Sequence, residues 1–340
     1  MTWRGRAAGR SLAAIGFAAV ALSSGCATVG TSLGPILDPL NVLGSKPPSR
    51  IGITRLEPSP LLLVPKAVLF EENLTFELGS PFTFDLMTPR QIRLHLGTGR
   101  LKFALLTAGE FSQIAGRDVA AILAVQLNEH QQTYRQGLIV VPAGSPIRSP
   151  ADLKGLRFHF LSQGHPLNDA ALGALLEAGV SAADLDKGLL GLSIDQYHIS
   201  SMESARGVVL GGERSAGVID KADYDRWPAS GGSLALLLPS KDQVRVIAET
   251  VRVPEGPFVV SKQTDPRIAD QVRRYLLNVL PKRKLVLASL GCSGFAPPIE
   301  EKEYEPFFAL YRRLHPDLEA PSPDQDEAAT RPAPSTRPGA

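Results

Sequence analysis

The sequence predicts an α/β fold of largely parallel sheets covered by helices, and three observations carry that expectation. Short apolar runs of strand length recur along the chain, among them LIVV at 138–141 and FHFL at 158–161. Helix starts and glycine stops separate these runs, so strand and helix alternate. The 340 residues are 44% apolar and 21% charged, a balance that supplies cores for two ordinary domains.

Taken in order, Arg50 to Thr54 begins a strand. Thr88-Pro89-Arg90-Gln91 then combines an N-cap, a proline at the first helical position and a glutamine placed to close a capping box, and Gly97 ends that helix. LKFALLTAG, from Leu101, is a buried strand running into a loop, and Leu138 to Val141 is another strand. Ser149-Pro150-Ala151-Asp152 starts a short helix ahead of the FHFL strand. Asp169 to Ala178 forms a helix stopped by Gly179, Ser201 to Leu210 one stopped by Gly211, and SAGVID from Ser215 is a strand.

The two ends differ from this body. Arg4, Arg6 and Arg10 precede an apolar or small-residue stretch from Leu12 to Leu22, too short to cross a bilayer and of the length of a secretory signal core. Leu22-Ser23-Ser24-Gly25-Cys26 follows, resembling a bacterial lipoprotein signal with its leucine one place early. Residues 1–25 are therefore expected to be a signal peptide and Cys26 the lipidated residue, with 26–49 a tether and 316–340 a tail too polar to pack. The chain is placed on the periplasmic or outer face of a bacterial membrane. With Cys26 lipidated, Cys292 has no disulfide partner and is read as a buried thiol.

A net charge of +2 and 6% aromatic residues give neither the basic field nor the stacking platforms of a nucleic-acid binder. GxSxG, P-loop, HExxH and paired-cysteine signatures are absent from the sequence, so no enzyme, cofactor or metal is expected.

Five segments in order, LKFALLTAGEFSQI, LIVVPAGSPIRSPADLKGLRFHF, SMESARGVVLGGERSAGVID, VRVPEGPFVVSKQTDP and EKEYEPFFALYRRL, resemble the phosphonate-binding type of periplasmic substrate-binding protein. The resemblance covers nearly all of 50–315. It implies a two-lobed type II periplasmic-binding-protein fold, with lobe one at 50–142 plus 256–315 and lobe two at 143–255. Leu138–Pro142 and Val251–Val260 would be the hinge strands. It also implies a monomeric, lipid-anchored binding component of an ABC importer, with a permease as partner and a phosphonate-related or other anionic small solute in the cleft. The other reading is a sensory or interaction lipoprotein that keeps the fold but signals to a partner or has lost its ligand.

Ligands in open α/β sheets gather beyond the carboxyl ends of strands, where helix N-termini favour anions. Three loops meet that description and offer Thr107 and Glu110, then Ser162, His165 and Asn168, then Ser201 and Glu203. Each has a plainer role open to it: Asn168 or Asp169 and Ser200 or Ser201 as caps, Glu203 as a dipole partner. In the resembling family the second loop is rich in serine and threonine, whereas here it reads His165-Pro166-Leu167-Asn168; Met202 stands where that family places a histidine. Pro166 has no N–H and Leu167 no side-chain donor, so simple alkylphosphonates are not the expected ligand. His165 standing in as a donor would strengthen anion binding as pH falls through about 6 to 7.

Overall fold

The computed structural model describes residues 47–54, 60–186, 197–230 and 240–318. Cys26, the signal segment and nearly all of the tether and tail lie outside these residues. From the N-terminus run β1 (Ser49–Ile53), α1 (Pro60–Leu78), β2 (Phe82–Leu86), α2 (Pro89–Gly97), β3 (Phe103–Leu105), α3 (Ala108–Ser112) and β4 (Ala120–Leu127). Then follow β5 (Tyr134–Pro142), β6 (Arg157–Leu161), α4 (Pro166–Glu177), β7 (Tyr197–His198), α5 (Ser201–Gly211), β8 (Ser215–Asp220), α6 (Lys221–Arg226) and β9 (Val244–Pro254). The chain finishes with β10 (Pro257–Ser261), α7 (Pro266–Arg274), α8 (Lys284–Leu290), β11 (Gly294–Ala296) and α9 (Glu305–Leu314).

The strands form two sheets flanked by helices. The first has the order β11-β4-β10-β3-β1-β2 and the second β7-β6-β8-β5-β9. β1 pairs parallel with β2 and β3, and β6 pairs parallel with β7 and β8. In contrast β10 runs antiparallel to β3 and β4, β11 to β4, and β5 to β8 and β9. The expected largely parallel sheets are thus mixed. The cause is topological: β5 and β10 each arrive directly from the other sheet through a short connection, which leaves no helical crossover to turn them parallel.

Those connections are residues 128–133 and 255–256. Leu138–Pro142, expected to bridge the lobes, instead continues the polar start Tyr134-Arg135-Gln136 as one strand inside the second sheet, paired on both sides. The first connection is built on Asn128. Its Oδ1 accepts from the amides of His130 at 2.9 Å and Gln132 at 3.0 Å, its Nδ2 donates to the Tyr134 carbonyl at 3.1 Å, and Gln131 takes a left-handed φ of 61°.

Local sequence explains much of the framework. Thr88 and Gln91 make the expected capping box on α2, with Pro89 in its first turn, and α4 begins three residues before Asp169 because His165 caps it. Phe70, Phe82, Phe84, Phe103 and Phe258 fill a core between the first sheet and α1, α7 and α8. A second core runs from Ile92 and Leu101 through Phe111, Phe307, Phe308 and Leu310 to Leu167, Ala171 and Val218, joining helices of both sheets. α9 is the common element. Phe111 meets Tyr304 and Phe308 edge-on at 5.2 and 5.7 Å on one side. On the other, Leu310 lies over Gly173 of α4, and His315 Nε2 is 3.0 Å from Asp169 Oδ1. Cys292 is partly buried, and burial pushes its thiol up to about 12, so it is held protonated.

Candidate functional site

The chain's crossings between the two sheets gather charged side chains. Arg135, at the start of β5, is 11% exposed in its side chain and faces three carboxylates. Its Nη1 and Nη2 donate to the two oxygens of Glu129 at 2.8 and 2.7 Å, its Nε lies 2.5 Å from Glu255 Oε1, and Nη1 is 3.5 Å from Asp220 Oδ2. Glu129 belongs to the first connection, Glu255 to the second, and Asp220 ends β8 in the second sheet. Every route between the two sheets therefore converges on one guanidinium.

Burial sets the electrostatics. Taking Arg135 out of water opposes its charge, but the Glu129 hydrogen bonds and the charges of Glu255, Glu129 and Asp220 outweigh that and raise its pKa. Glu129 is also opposed by burial, yet Arg135 holds it down at about 2. Glu255 is lifted to about 7, because burial exceeds the pull of Arg135 and the neighbouring carboxylates push the same way. Burial likewise raises Asp220. A cavity of about 600 Å³ opens beside this group. Leu127 and Ala296 border it from the first sheet, Arg135, Asp220, Ala222 and Asp225 from the second, and Gln131 and Thr133 from between. That volume suits a small solute.

The residues expected from the sequence occupy their helix starts, and their polar groups are taken up there. Thr107 caps α3: its hydroxyl accepts from the Glu110 amide at 3.2 Å, and the Glu110 carboxylate accepts from the Thr107 amide at 2.8 Å. His165 caps α4, with Nδ1 accepting from the Leu167 amide at 3.2 Å. Asn168 is buried and staples its own loop, accepting from the Leu161 amide at 2.9 Å and donating to the carbonyls of Leu161 and Ser162 at 3.2 and 3.0 Å. The Ser162 side chain is exposed. Ser200 caps α5, Glu203 accepts from the Ile199 amide at 3.1 Å, and buried Ser201 accepts the Asp220 amide at 3.0 Å. Asp220 in turn caps α6 through the Ala222 amide at 2.8 Å. Of the seven, Ser201 touches the charged group through Asp220, and His165 lies close enough to feel the charge of Arg135.

Burial first, and the Arg135 charge second, push His165 down to about 4, so it is neutral at physiological pH and the expected titration near 6 to 7 does not occur. His198 pairs with buried His159, Nε2 to Nδ1 at 2.8 Å, and burial with the charges of His198 and Arg157 lowers His159 to about 4. Glu129, His130 and Asp220 each bring one donor atom within 4.8 Å of the others, the one such group of metal-ligating type among the described residues. Sequence reading passed over Glu129, His130 and Glu255, which sit in the polar connections, and Arg135, at the polar start of β5. Asp220 alone carried a usable signal, at the carboxyl end of the SAGVID strand.

The model of one protein family, described as the periplasmic substrate-binding protein of the phosphonate ABC transporter, matches residues 60–304. The chain belongs to this phosphonate-binding family. Its members are non-enzymatic, extracytoplasmic binding components of ABC importers. XAC2383 from Xanthomonas citri bound to ATP is 19% identical, with 80% of this chain and 100% of that one covered at a TM-score of 0.52. The same protein bound to chloride gives 20% identity, 79% and 99% coverage, and a TM-score of 0.51. PhnD1 from Prochlorococcus marinus in complex with methylphosphonate is 16% identical, covering 78% of this chain and 97% of that one at a TM-score of 0.48. No curated protein matches the chain in sequence. No helix among the described residues is long and apolar enough to cross a membrane.

Proposed function

We propose that this chain is the lipid-anchored solute-binding component of an ABC importer and that it captures a small polar solute in the cavity beside Arg135. The observation that carries the reading is the cavity itself. In a member of the phosphonate-binding family, it is bordered by both sheets and by the connections between them, where relative movement of the two bodies would open and close it. None of Thr107, Glu110, Ser162, His165, Asn168, Ser201 and Glu203 lines this cavity, and Ser201 reaches it only through Asp220.

The closed helix starts bear on the solute. An oxyanion buried in a closed cleft needs fixed donors in place of water, and each one lost costs about 1–3 kcal/mol. The starts of α3, α4 and α5 are closed by Glu110, His165 and Glu203, and of the cations bordering the cavity Arg135 is shared among three carboxylates and Lys221 is paired with Glu249, which leaves Arg252. Simple alkylphosphonates therefore bind weakly in this reading. The same closure favours, as the second reading, a sensory lipoprotein that has lost its ligand.

A thermal-shift screen of the full chain against phosphonates, oxyanions, amino acids and pyrimidines separates the two. Importer function requires at least one class to raise Tm, since a ligand at 100 times its Kd stabilises by about 2.7 kcal/mol. Silence across all classes favours the sensory reading.

A further inference from the structure

His130 presents a problem that the solute reading leaves standing. Its side chain is 4% exposed, yet neither ring nitrogen makes a hydrogen bond with the described residues. Nε2 lies 3.0 Å from Asp223 Oδ1 and 3.8 Å from Glu129 Oε1, too poorly aligned to donate to either. A buried imidazole in this state forfeits on the order of 1–3 kcal/mol. Asp220, 3% exposed, has the same defect at Oδ2: it accepts no hydrogen bond, and the closest cation noted is Arg135 at 3.5 Å. Two buried side chains thus direct unused lone pairs into one space.

We propose that Glu129, His130 and Asp220, joined by Asp223 through a turn of its side chain beside His130, bind a divalent first-row transition-metal ion at the edge of the solute cavity. One imidazole nitrogen with three carboxylates is a donor set for Zn²⁺ or Mn²⁺, and it lacks the all-oxygen character that suits Mg²⁺ and Ca²⁺. The donor atoms of Glu129, His130 and Asp220 lie within 4.8 Å of one another. Metal bonds of about 2.0–2.2 Å hold donors roughly 3–4 Å apart, so loading contracts the group by on the order of 1 Å.

The charge also fits. Glu129, Asp220 and Asp223 bring three negative charges and Glu255, held at about 7, part of a fourth, whereas Arg135 returns one positive, so at least two remain for a divalent ion to offset. Arg135 does not block the site. It uses one direction on each Glu129 oxygen, and a carboxylate offers about four acceptor directions in all. The guanidinium then becomes the outer partner that orients a ligating carboxylate. Since Asp220 also borders the cavity, the metal would supply positive charge where the neighbouring helix starts have none to spare. This placement rests on the reading of that cavity as the solute site, but metal binding can be measured without any solute.

The test is calorimetry of Zn²⁺, Mn²⁺ and Mg²⁺ into the full chain, purified without an affinity tag and stripped with chelator. Wild type is expected to bind one Zn²⁺, with Mn²⁺ weaker and Mg²⁺ weaker still, following the usual affinity order. His130→Ala and, separately, Asp223→Asn are each expected to weaken Zn²⁺ by about tenfold or more. Circular dichroism establishes that each variant is folded; Asp223→Asn, on the partly exposed α6, carries the test if His130→Ala is not. No Zn²⁺ binding by wild type overturns the proposal, as does Mg²⁺ binding as tight as Zn²⁺. An unchanged Zn²⁺ affinity in the folded variants would place the ion on other histidines and overturns it equally. Failure of the solute screen with Zn²⁺ bound would count against the importer reading alone.

Discussion

Gly173 and Leu310 make the tightest packing contact between α4 and α9, and a double-mutant cycle measures how firmly α9 ties the two sheets together. A Cβ on Gly173 would lie 2.1 Å from Leu310 Cδ1 and 2.4 Å from its Cγ. Ordinary carbon contacts are about 3.5–4.0 Å, so Leu310, only 4% exposed, must move by more than an ångström. Overpacking of this kind costs about 1–3 kcal/mol, against roughly 1 kcal/mol returned by replacing glycine inside a helix. Gly173→Ala is therefore expected to destabilise by up to about 2 kcal/mol. Leu310→Ala alone should cost about 2–5 kcal/mol. In the Leu310→Ala background the clash is gone and only the helix gain remains, so Gly173→Ala should become stabilising by up to about 1 kcal/mol. The resulting coupling, about 1–3 kcal/mol, is the overpacking cost itself. Urea unfolding followed by far-ultraviolet circular dichroism reads all four proteins. Equal costs of Gly173→Ala in both backgrounds would refute the contact and the bridging role given to α9.

Four further outcomes follow. Burial holds His159 and His165 at about 4, below the ordinary 6.5, so both are neutral in the fold and take up protons more readily when unfolded. Their contribution is full above about pH 6.5 and is lost as pH falls toward 4, by up to on the order of 3 kcal/mol each, which thermal melts between those limits will show. Because the helix starts are closed, calorimetry with methylphosphonate and aminoethylphosphonate should give weak binding; submicromolar affinity for either would show that the closed helix starts do not set specificity. Arg135→Ala strands Glu255 and Asp220 and should lower stability by about 3–5 kcal/mol, with Arg135→Lys only partly restoring it because an ammonium cannot bridge both Glu129 oxygens. Cys26→Ser should release the protein from membranes into the soluble fraction; retention as firm as wild type would remove the lipid anchor.

The framework was legible in the sequence where a local rule governs it. Thr88 to Gln91 announced a capping box, Gly179 a helix stop, and SAGVID a strand, since each depends on residues a few positions apart, whereas α5 runs through the expected stop at Gly211 and is capped by Gly212. The crossing points were not legible. Leu138–Pro142 has the apolar look of a buried strand, but whether it bridges two sheets or completes one depends on its partners β8 and β9, which lie far along the chain. The candidate site shows the same division. Thr107, His165 and Ser201 were found because they stand at helix starts, and the structure spends the first two as caps and the third on the Asp220 amide. Arg135, Glu129, His130 and Glu255 follow no local pattern, and their significance comes from a convergence of segments more than a hundred residues apart.

The strand exchange also orders the birth of the protein. The second sheet is drawn from one continuous stretch, 134–254, and can be completed as soon as that stretch emerges. The first cannot. β10 lies between β4 and β3, so until residue 257 and beyond arrive, the earlier strands stand as two separated pieces with bare edges. A chain threaded through a secretion channel N-terminus first would thus finish its later body before its earlier one. During that interval the edges of β3 and β4 are the surfaces a chaperone would cover, or on which two nascent copies would meet.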